Sequence, residues 1–242
     1  MINFLGIGAQ KCGTSLLYEQ LKEVEEIYLS KTKELHFFDK HENYVKGLPW
    51  YLSFFRDAKP DQLKGEITPA YLYFQEVPCR IRQSFQEKSN GLKFIVILRN
   101  PIDRAYSHYW MEYKRNNESL KFEYAIIKEL IYKKKHLQHH VLSYLDRGFY
   151  SEQILHWFKF FKRVQFKFII FEEFITKQNR ILNEIFEFLG IDKKYTFINK
   201  LVFKNHYSPM DKKLRKFLQE IYAEEINALE NLLNINLDIW RK

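Results

Sequence analysis

The first twenty residues constrain this chain most. They read MINFLGIGAQKCGTSLLYEQ: an apolar run, a glycine-bearing loop with one lysine, then a Thr-Ser pair that opens an amphipathic stretch. Strand, loop and helix in that order hold a phosphate, because loop amides and the helix N-terminus aim donors at one point in space. The bland alternative is a glycine turn of an α/β protein with its lysine in solvent.

The loop is similar to a nucleoside-triphosphate loop but departs from it. That motif places a lysine directly after its second glycine. Here Gly8 and Gly13 are correctly spaced, but the lysine is Lys11, inside the loop, and Thr14 occupies the usual lysine position. A lysine there can reach a group attached to a 5′-phosphate.

A second segment, Lys93 to Tyr109 (KFIVILRNPIDRAYSHY), reads as a strand, a sharp stop and a helix. The unbroken apolar run Phe94–Leu98 predicts a strand covered on both faces. Asn100 suits an N-cap and Pro101 the first helical position. Arg99 then sits at the strand's carboxyl end, where open α/β sheets bind ligands, and Ser107 lies about two turns into the helix. An Arg fork with a hydroxyl fits a phosphate monoester. The competing reading pairs Arg99 with a local acid such as Asp103 and leaves Ser107 facing solvent.

Taken together, the two segments resemble the family of sulfotransferases that use 3′-phosphoadenosine 5′-phosphosulfate (PAPS). That family's 3′-phosphate motif has an Arg, a Pro two residues on and a Ser eight residues on, matched by Arg99, Pro101 and Ser107. Lys33-Glu-Leu-His-Phe-Phe-Asp39 and Gly65-Glu-Ile-Thr-Pro-Ala-Tyr71 resemble the glycan-sulfating, heparan-type branch and its bacterial relatives. Arg147-Gly-Phe-Tyr-Ser-Glu-Gln153 and the tail from Phe203 to Trp240 resemble bacterial members.

The resemblance implies a P-loop-like sulfotransferase fold and a set of roles. Lys11, Cys12, Gly13, Thr14 and Ser15 would hold the 5′-phosphosulfate, with Lys11 also catalytic, and Arg99 and Ser107 the 3′-phosphate. Glu34 is the implied general base and His36 the second candidate; in an extended segment the two would share a face. An exposed Glu34 and a His36 packed among Leu35, Phe37 and Phe38 is the structural alternative. Thr68, Tyr71 and Tyr150 are expected to line the acceptor cleft. Two departures stand out. Ile67 replaces a lysine that assists at the sulfuryl group in the glycan-sulfating branch. Phe203-Lys-Asn-His206 offers Lys204 without the glycine that usually follows it.

Bulk properties agree. The 242 residues show no composition break or repeat, so one domain over 1–242 is expected, an α/β fold with a parallel sheet flanked by helices. A formal charge of +9 favours anionic ligands. The basic run at Lys133, Lys134, Lys135 and His136, followed by His139 and His140, raises a polyanion-binding module as an alternative, but no nucleic-acid motif has the usual spacing. A kinase with a degenerate loop is the other alternative; it lacks the lysine after the second glycine. The two cysteines, Cys12 and Cys79, lack metal spacing and form no disulfide framework. With no apolar run of membrane-spanning length, a cytoplasmic bacterial-type enzyme is expected, using PAPS, yielding 3′-phosphoadenosine 5′-phosphate (PAP), needing no metal, and taking a glycan, lipid or small-molecule acceptor. Acceptor choice is assigned to loops at 40–60, 115–150 and 200–210.

Overall fold

Five short runs, most of them too apolar to face water on either side, pair into one parallel sheet. In the computed structural model, which describes residues 1–133, 138–139, 141–197 and 207–241, these are β1 (Phe4–Gly8), β2 (Ile27–Leu29), β3 (Leu63–Ile67), β4 (Lys93–Leu98) and β5 (Phe166–Ile170). They lie in the order β2-β3-β1-β4-β5, and all pairs are parallel. Parallel neighbours need long crossovers. These are supplied by α1 (Thr14–Leu21), α2 (His41–Tyr44), α3 (Gly47–Ser53), α4 (Glu76–Phe85), α5 (Pro101–Lys114), α6 (Phe122–Lys133) and α7 (Tyr150–Phe158), while α8 (Phe171–Thr176), α9 (Gln178–Leu189) and α10 (Lys212–Leu233) follow the last strand. The expected α/β architecture with a parallel sheet is therefore present.

The described residues divide into two compact units. The first, residues 1–98 and 156–202, contains the whole sheet. Its core is aromatic: Phe94 stacks on Phe166 and meets Trp157 edge-on at 5.2 Å, while the Trp157 indole N–H donates to the Leu72 carbonyl at 3.2 Å. Strands β1 and β4 are neighbours, and the Ala9 amide donates to the Ile97 carbonyl at 2.7 Å just beyond β1. The carboxyl ends of these strands therefore lie side by side, where an open α/β sheet receives ligands.

The second unit, residues 99–155 and 203–242, is helical. Asn100 caps α5 as expected: its Oδ1 accepts the Ile102 amide at 3.0 Å, with Pro101 in the first turn. Buried polar groups tie this unit together. Ser151 donates through its amide and its hydroxyl to Glu225 at 2.8 and 2.6 Å. Glu129 accepts the Leu145 and Asp146 amides, both at 2.7 Å. Burial pushes Glu129 up to about 7 even though those amides oppose it.

Differences from the sequence reading have local causes. Helix α7 buries Ile154 and Trp157, with Phe161 just beyond it also buried and Leu155 half-exposed. The last helix begins at Lys212, where Asp211 Oδ1 accepts the Lys213 and Leu214 amides. β5 stops at Ile170, and Phe171 opens α8. Helices α2, α3 and α4 went unpredicted. The first two span only four and seven residues, too short for a periodic pattern, and α4 carries Pro78 in its first turn, where proline is tolerated.

Candidate active site

The loop after β1 is shaped by glycines. Gly13 adopts φ +91°, and a Cβ there would lie 2.8 Å from the Phe171 ring. A Cβ on Gly8 would fall 2.6 Å from Leu72. No side chain caps α1, and its first turn holds no acid. Its N-terminal amides are thus left for an anion and face no like charge. Lys11 sits in this loop at φ +70°, strained for a residue with a Cβ. Thr14 is buried and Ser15 exposed. Cys12 is fully buried, its Sγ contacting the Gln10 carbonyl at 3.7 Å.

The segment 33–39 forms no strand. It is irregular, and His36 turns through φ +50°. Glu34 and His36 meet all the same, but through this turn rather than through a shared strand face. His36 Nε2 lies 3.2 Å from Glu34 Oε2 and Nδ1 2.7 Å from Asp39 Oδ2. Lys33 Nζ approaches Glu34 Oε1 at 3.5 Å. Burial works against charge on His36, but hydrogen bonds to Asp39 and Glu34 outweigh it and push its pKa up to about 9. Burial likewise opposes charge on Glu34, and the His36 bond and Lys33 override it, holding the carboxyl below its usual range. At neutral pH Glu34 is therefore an ionised acceptor and His36 an imidazolium. This corrects the expectation that His36 could be the base: it already carries the proton a base would take.

Thr68 and Tyr71 do not line a cleft. Both side chains are fully buried, and both donate to Glu66, Thr68 at 2.9 Å and Tyr71 at 2.8 Å. Their backbone belongs to the anchor of the site: the Thr68 amide donates to the Gly6 carbonyl at 3.0 Å and the Leu72 amide to the Ile7 carbonyl at 2.7 Å. Ile67, at the position of the absent lysine, is buried beside Gly6.

In the second unit Arg99 directly follows the last residue of β4 and is half-buried. Its carbonyl accepts the Tyr150 hydroxyl at 2.9 Å. Tyr150 is fully buried, so it too fails to line a cleft. Asp103 pairs with Arg215. Ser107 is buried, not solvent-facing. Lys204, with residues 134–136 and His140 of the basic run, lies outside the described residues. Asp39 is the functional candidate that sequence reasoning missed. Its spacing from His36, three residues on, was the available signal.

Residues 3–205 match the sulfotransferase domain family. The chain belongs to the sulfotransferase family. The match runs through most of the first unit and much of the second. Among curated relatives, human bifunctional heparan sulfate N-deacetylase/N-sulfotransferase 3 is 30% identical across 96% of this chain and 30% of its own length. Mouse heparan sulfate glucosamine 3-O-sulfotransferase 5 is 28% identical across 80% of this chain and 54% of its own. This chain thus spans about half of one relative and under a third of the other. A solved sulfotransferase from Alicyclobacillus acidocaldarius superposes with a TM-score of 0.85 over 100% of this chain and 99% of that one, at 26% identity. A mouse sulfotransferase solved with PAP shares the fold, with a TM-score of 0.59 and 19% identity over 99% and 87% of the two chains. Sulfotransferases of this family use PAPS as donor. No described helix is long and apolar enough to cross a membrane.

Proposed function

We propose that this sulfotransferase domain, residues 1–242, moves the sulfuryl group of PAPS to an acceptor hydroxyl, with an amine as the less favoured acceptor. The observation that carries the reading is the Asp39–His36–Glu34 relay. It keeps one carboxylate ionised and oriented on the same sheet-anchored framework as an uncapped, glycine-shaped phosphate loop.

PAPS, when bound, supplies the sulfuryl group and its leaving phosphate. Amides of Gly13, Thr14 and Ser15, with Cys12 packed beneath, cradle the 5′-phosphate, and Lys11 offsets charge on the bridging and sulfuryl oxygens. Arg99 and Ser107 bind the 3′-phosphate, and Lys204 is assigned to the same group from the family pattern alone. Glu34 accepts the proton from the acceptor, and His36, held by Asp39, fixes the carboxylate's direction. Positioning and charge carry the rate in such transfers, as in phosphoryl transfer. The arrangement calls on no metal. The heparan-type relatives favour a glycan acceptor over a lipid or a small natural product, and the site of action in this reading is cytoplasmic.

Calorimetric titration with PAP, with 5′-AMP as control and no magnesium, tests the donor assignment. PAP is expected to bind far more tightly than AMP, and Arg99→Ala to remove on the order of 2 kcal/mol of that preference, about 30-fold. Equal binding of the two nucleotides, or an unaltered PAP affinity in Arg99→Ala, would remove the 3′-phosphate site.

A further inference from the structure

The catalytic segment 33–39 has no strand or helix to hold it, yet Phe37 and Phe38 are fully buried. Their backbone amides need partners, since an unpaired buried N–H costs about as much as a lost hydrogen bond. One atom serves both. The Tyr71 hydroxyl oxygen accepts the Phe37 amide at 3.0 Å and the Phe38 amide at 3.4 Å. Asn43 takes the carbonyls of Leu35 and His36, and Arg80 takes that of Phe38 at 2.7 Å. Side chains from distant parts of the chain therefore do the work that a strand ladder would do.

Tyr71 differs from the other two because its own proton is spoken for. It donates to Glu66 Oε1 at 2.8 Å. Glu66 is fully buried at the inner end of β3 and receives two more donors, the Tyr51 hydroxyl at 2.8 Å and the Thr68 hydroxyl at 2.9 Å. Its carboxyl oxygens accept from all three hydroxyls. It draws the Tyr71 proton toward itself and turns the oxygen's lone pairs toward the two amides. Thr68 and Leu72, flanking Tyr71, are bonded to the carbonyls of Gly6 and Ile7 at the end of β1. An unbroken series of bonds runs from β1, which carries the phosphate loop, to the segment that carries Glu34.

We propose that Tyr71, oriented by Glu66, is the positioning residue that sets the Glu34–His36–Asp39 relay in register with the phosphate loop. This rests on the sulfuryl-transfer reading for its meaning, but its geometry does not. Tyr71 touches no reacting atom; it acts through the backbone of residues 37 and 38. The relay spans exactly the residues on either side of those amides, so loss of the anchor loosens the His36 contacts with Glu34 and Asp39 together.

Tyr51 supplies the control, because its hydroxyl donates to the same Glu66 oxygen from an equally buried site, while its contact with segment 33–39 is the packing of its ring on Phe37 and Phe38, which a phenylalanine keeps. The His36 ring is followed by NMR titration in the wild type, Tyr71→Phe and Tyr51→Phe, with kcat and KM for PAPS measured alongside. The groups facing His36 are Glu34 and Asp39, with Lys33 next to Glu34. Tyr71→Phe is expected to bring the His36 midpoint down by about one pH unit or more and kcat down about tenfold or more, with KM for PAPS unchanged; Tyr51→Phe is expected to leave both at wild-type values. An unmoved His36 midpoint in Tyr71→Phe, or an equal shift in Tyr51→Phe, overturns the proposal. Should Tyr71→Phe not fold, amide exchange in the wild type decides. The Phe37 and Phe38 amides should be protected to the level of β3; exchange as fast as that of neighbouring amides in the segment rejects the anchor. The titration and exchange readouts need no turnover, so they stand apart from failure of the sulfuryl-transfer reading, which would show as no transfer from PAPS and no preference for PAP over AMP in the wild type.

Discussion

The phosphate loop and the segment 33–39 are held in two different ways. Residues 8–13 are shaped by backbone: two glycines without room for a Cβ, a φ of +91° at Gly13, and a bond from Ala9 to β4. Residues 33–39 are shaped by side chains, with Tyr71, Asn43 and Arg80 bonding their amides and carbonyls. A backbone-built site tolerates almost no change of residue but needs no distant partner. A side-chain-built site depends on residues elsewhere in the chain, here from seven to 42 positions away, and each partner can be removed singly. Only the second kind offers graded control of geometry, and it is the segment with the ionised carboxylate.

The sharpest way to separate the two is to remove the carboxylate's charge. Glu34→Gln keeps the shape and abolishes the base. Turnover is expected to fall by about 10²- to 10⁴-fold, the range for a positioned general base. PAP affinity, assigned above to the phosphate loop with Arg99 and Ser107, should stay at its wild-type value in calorimetry. A matching loss of affinity would mean that the two regions are not independent.

A second expectation concerns pH. His36 has a pKa of about 9 in the folded protein against about 6.5 for an unperturbed imidazole. Folding therefore tightens its proton. The resulting stability is whole below about pH 6.5, fades as pH rises and is gone above about 9, on the order of 3 kcal/mol in all. Glu66 adds a loss in a lower window. Burial raises it from 4.5 to about 7 against the pull of Tyr51, Tyr71 and Thr68, so its share is present below 4.5 and lost as pH climbs through 7. The melting temperature should fall from pH 7 to pH 10, and His36→Asn should flatten that decline. A wild-type curve that is level across pH 7–10 would contradict the relay.

The same contrast explains what could be read from the chain before folding. Gly8, Gly13, Lys11, Arg99, Pro101 and Ser107 have fixed spacings because one continuous backbone imposes them, so the glycine-shaped loop after β1 and the capped start of α5 were readable as motifs. The strands were readable because parallel strands buried on both faces leave unbroken apolar runs such as Phe94–Leu98. Tyr71 was marked, but for the wrong task. Nothing local distinguishes a tyrosine facing a ligand from one facing two amides 33 and 34 residues earlier. The proton on His36 was equally hidden, since it depends on Asp39 and Glu34 converging through a φ of +50° that no propensity predicts.

On the backbone-built side, Gly13→Ala should show how little latitude the loop has. The new Cβ would enter the Phe171 ring space at 2.8 Å and sit at φ +91°. A destabilisation of about 1–3 kcal/mol is expected from the backbone strain alone, read by chemical denaturation. PAP affinity should drop with it, because the strain falls on the α1 amides, while the His36 titration should stay at its wild-type midpoint.

The smallest effect should come from Asn43→Ala. Its side-chain amide donates to the Leu35 and His36 carbonyls at 3.2 and 3.1 Å, so it holds the same segment as Tyr71 from the opposite polarity. Both carbonyls belong to a partly exposed turn, and water can replace a donor there more readily than it can replace an acceptor for the buried Phe37 and Phe38 amides. A loss of about 1 kcal/mol or less in stability is expected, with kcat reduced only a few-fold and PAP affinity unchanged. If Asn43→Ala instead matched Tyr71→Phe in both turnover and the His36 midpoint, the segment would be held as one cooperative unit, with no particular anchor in Tyr71.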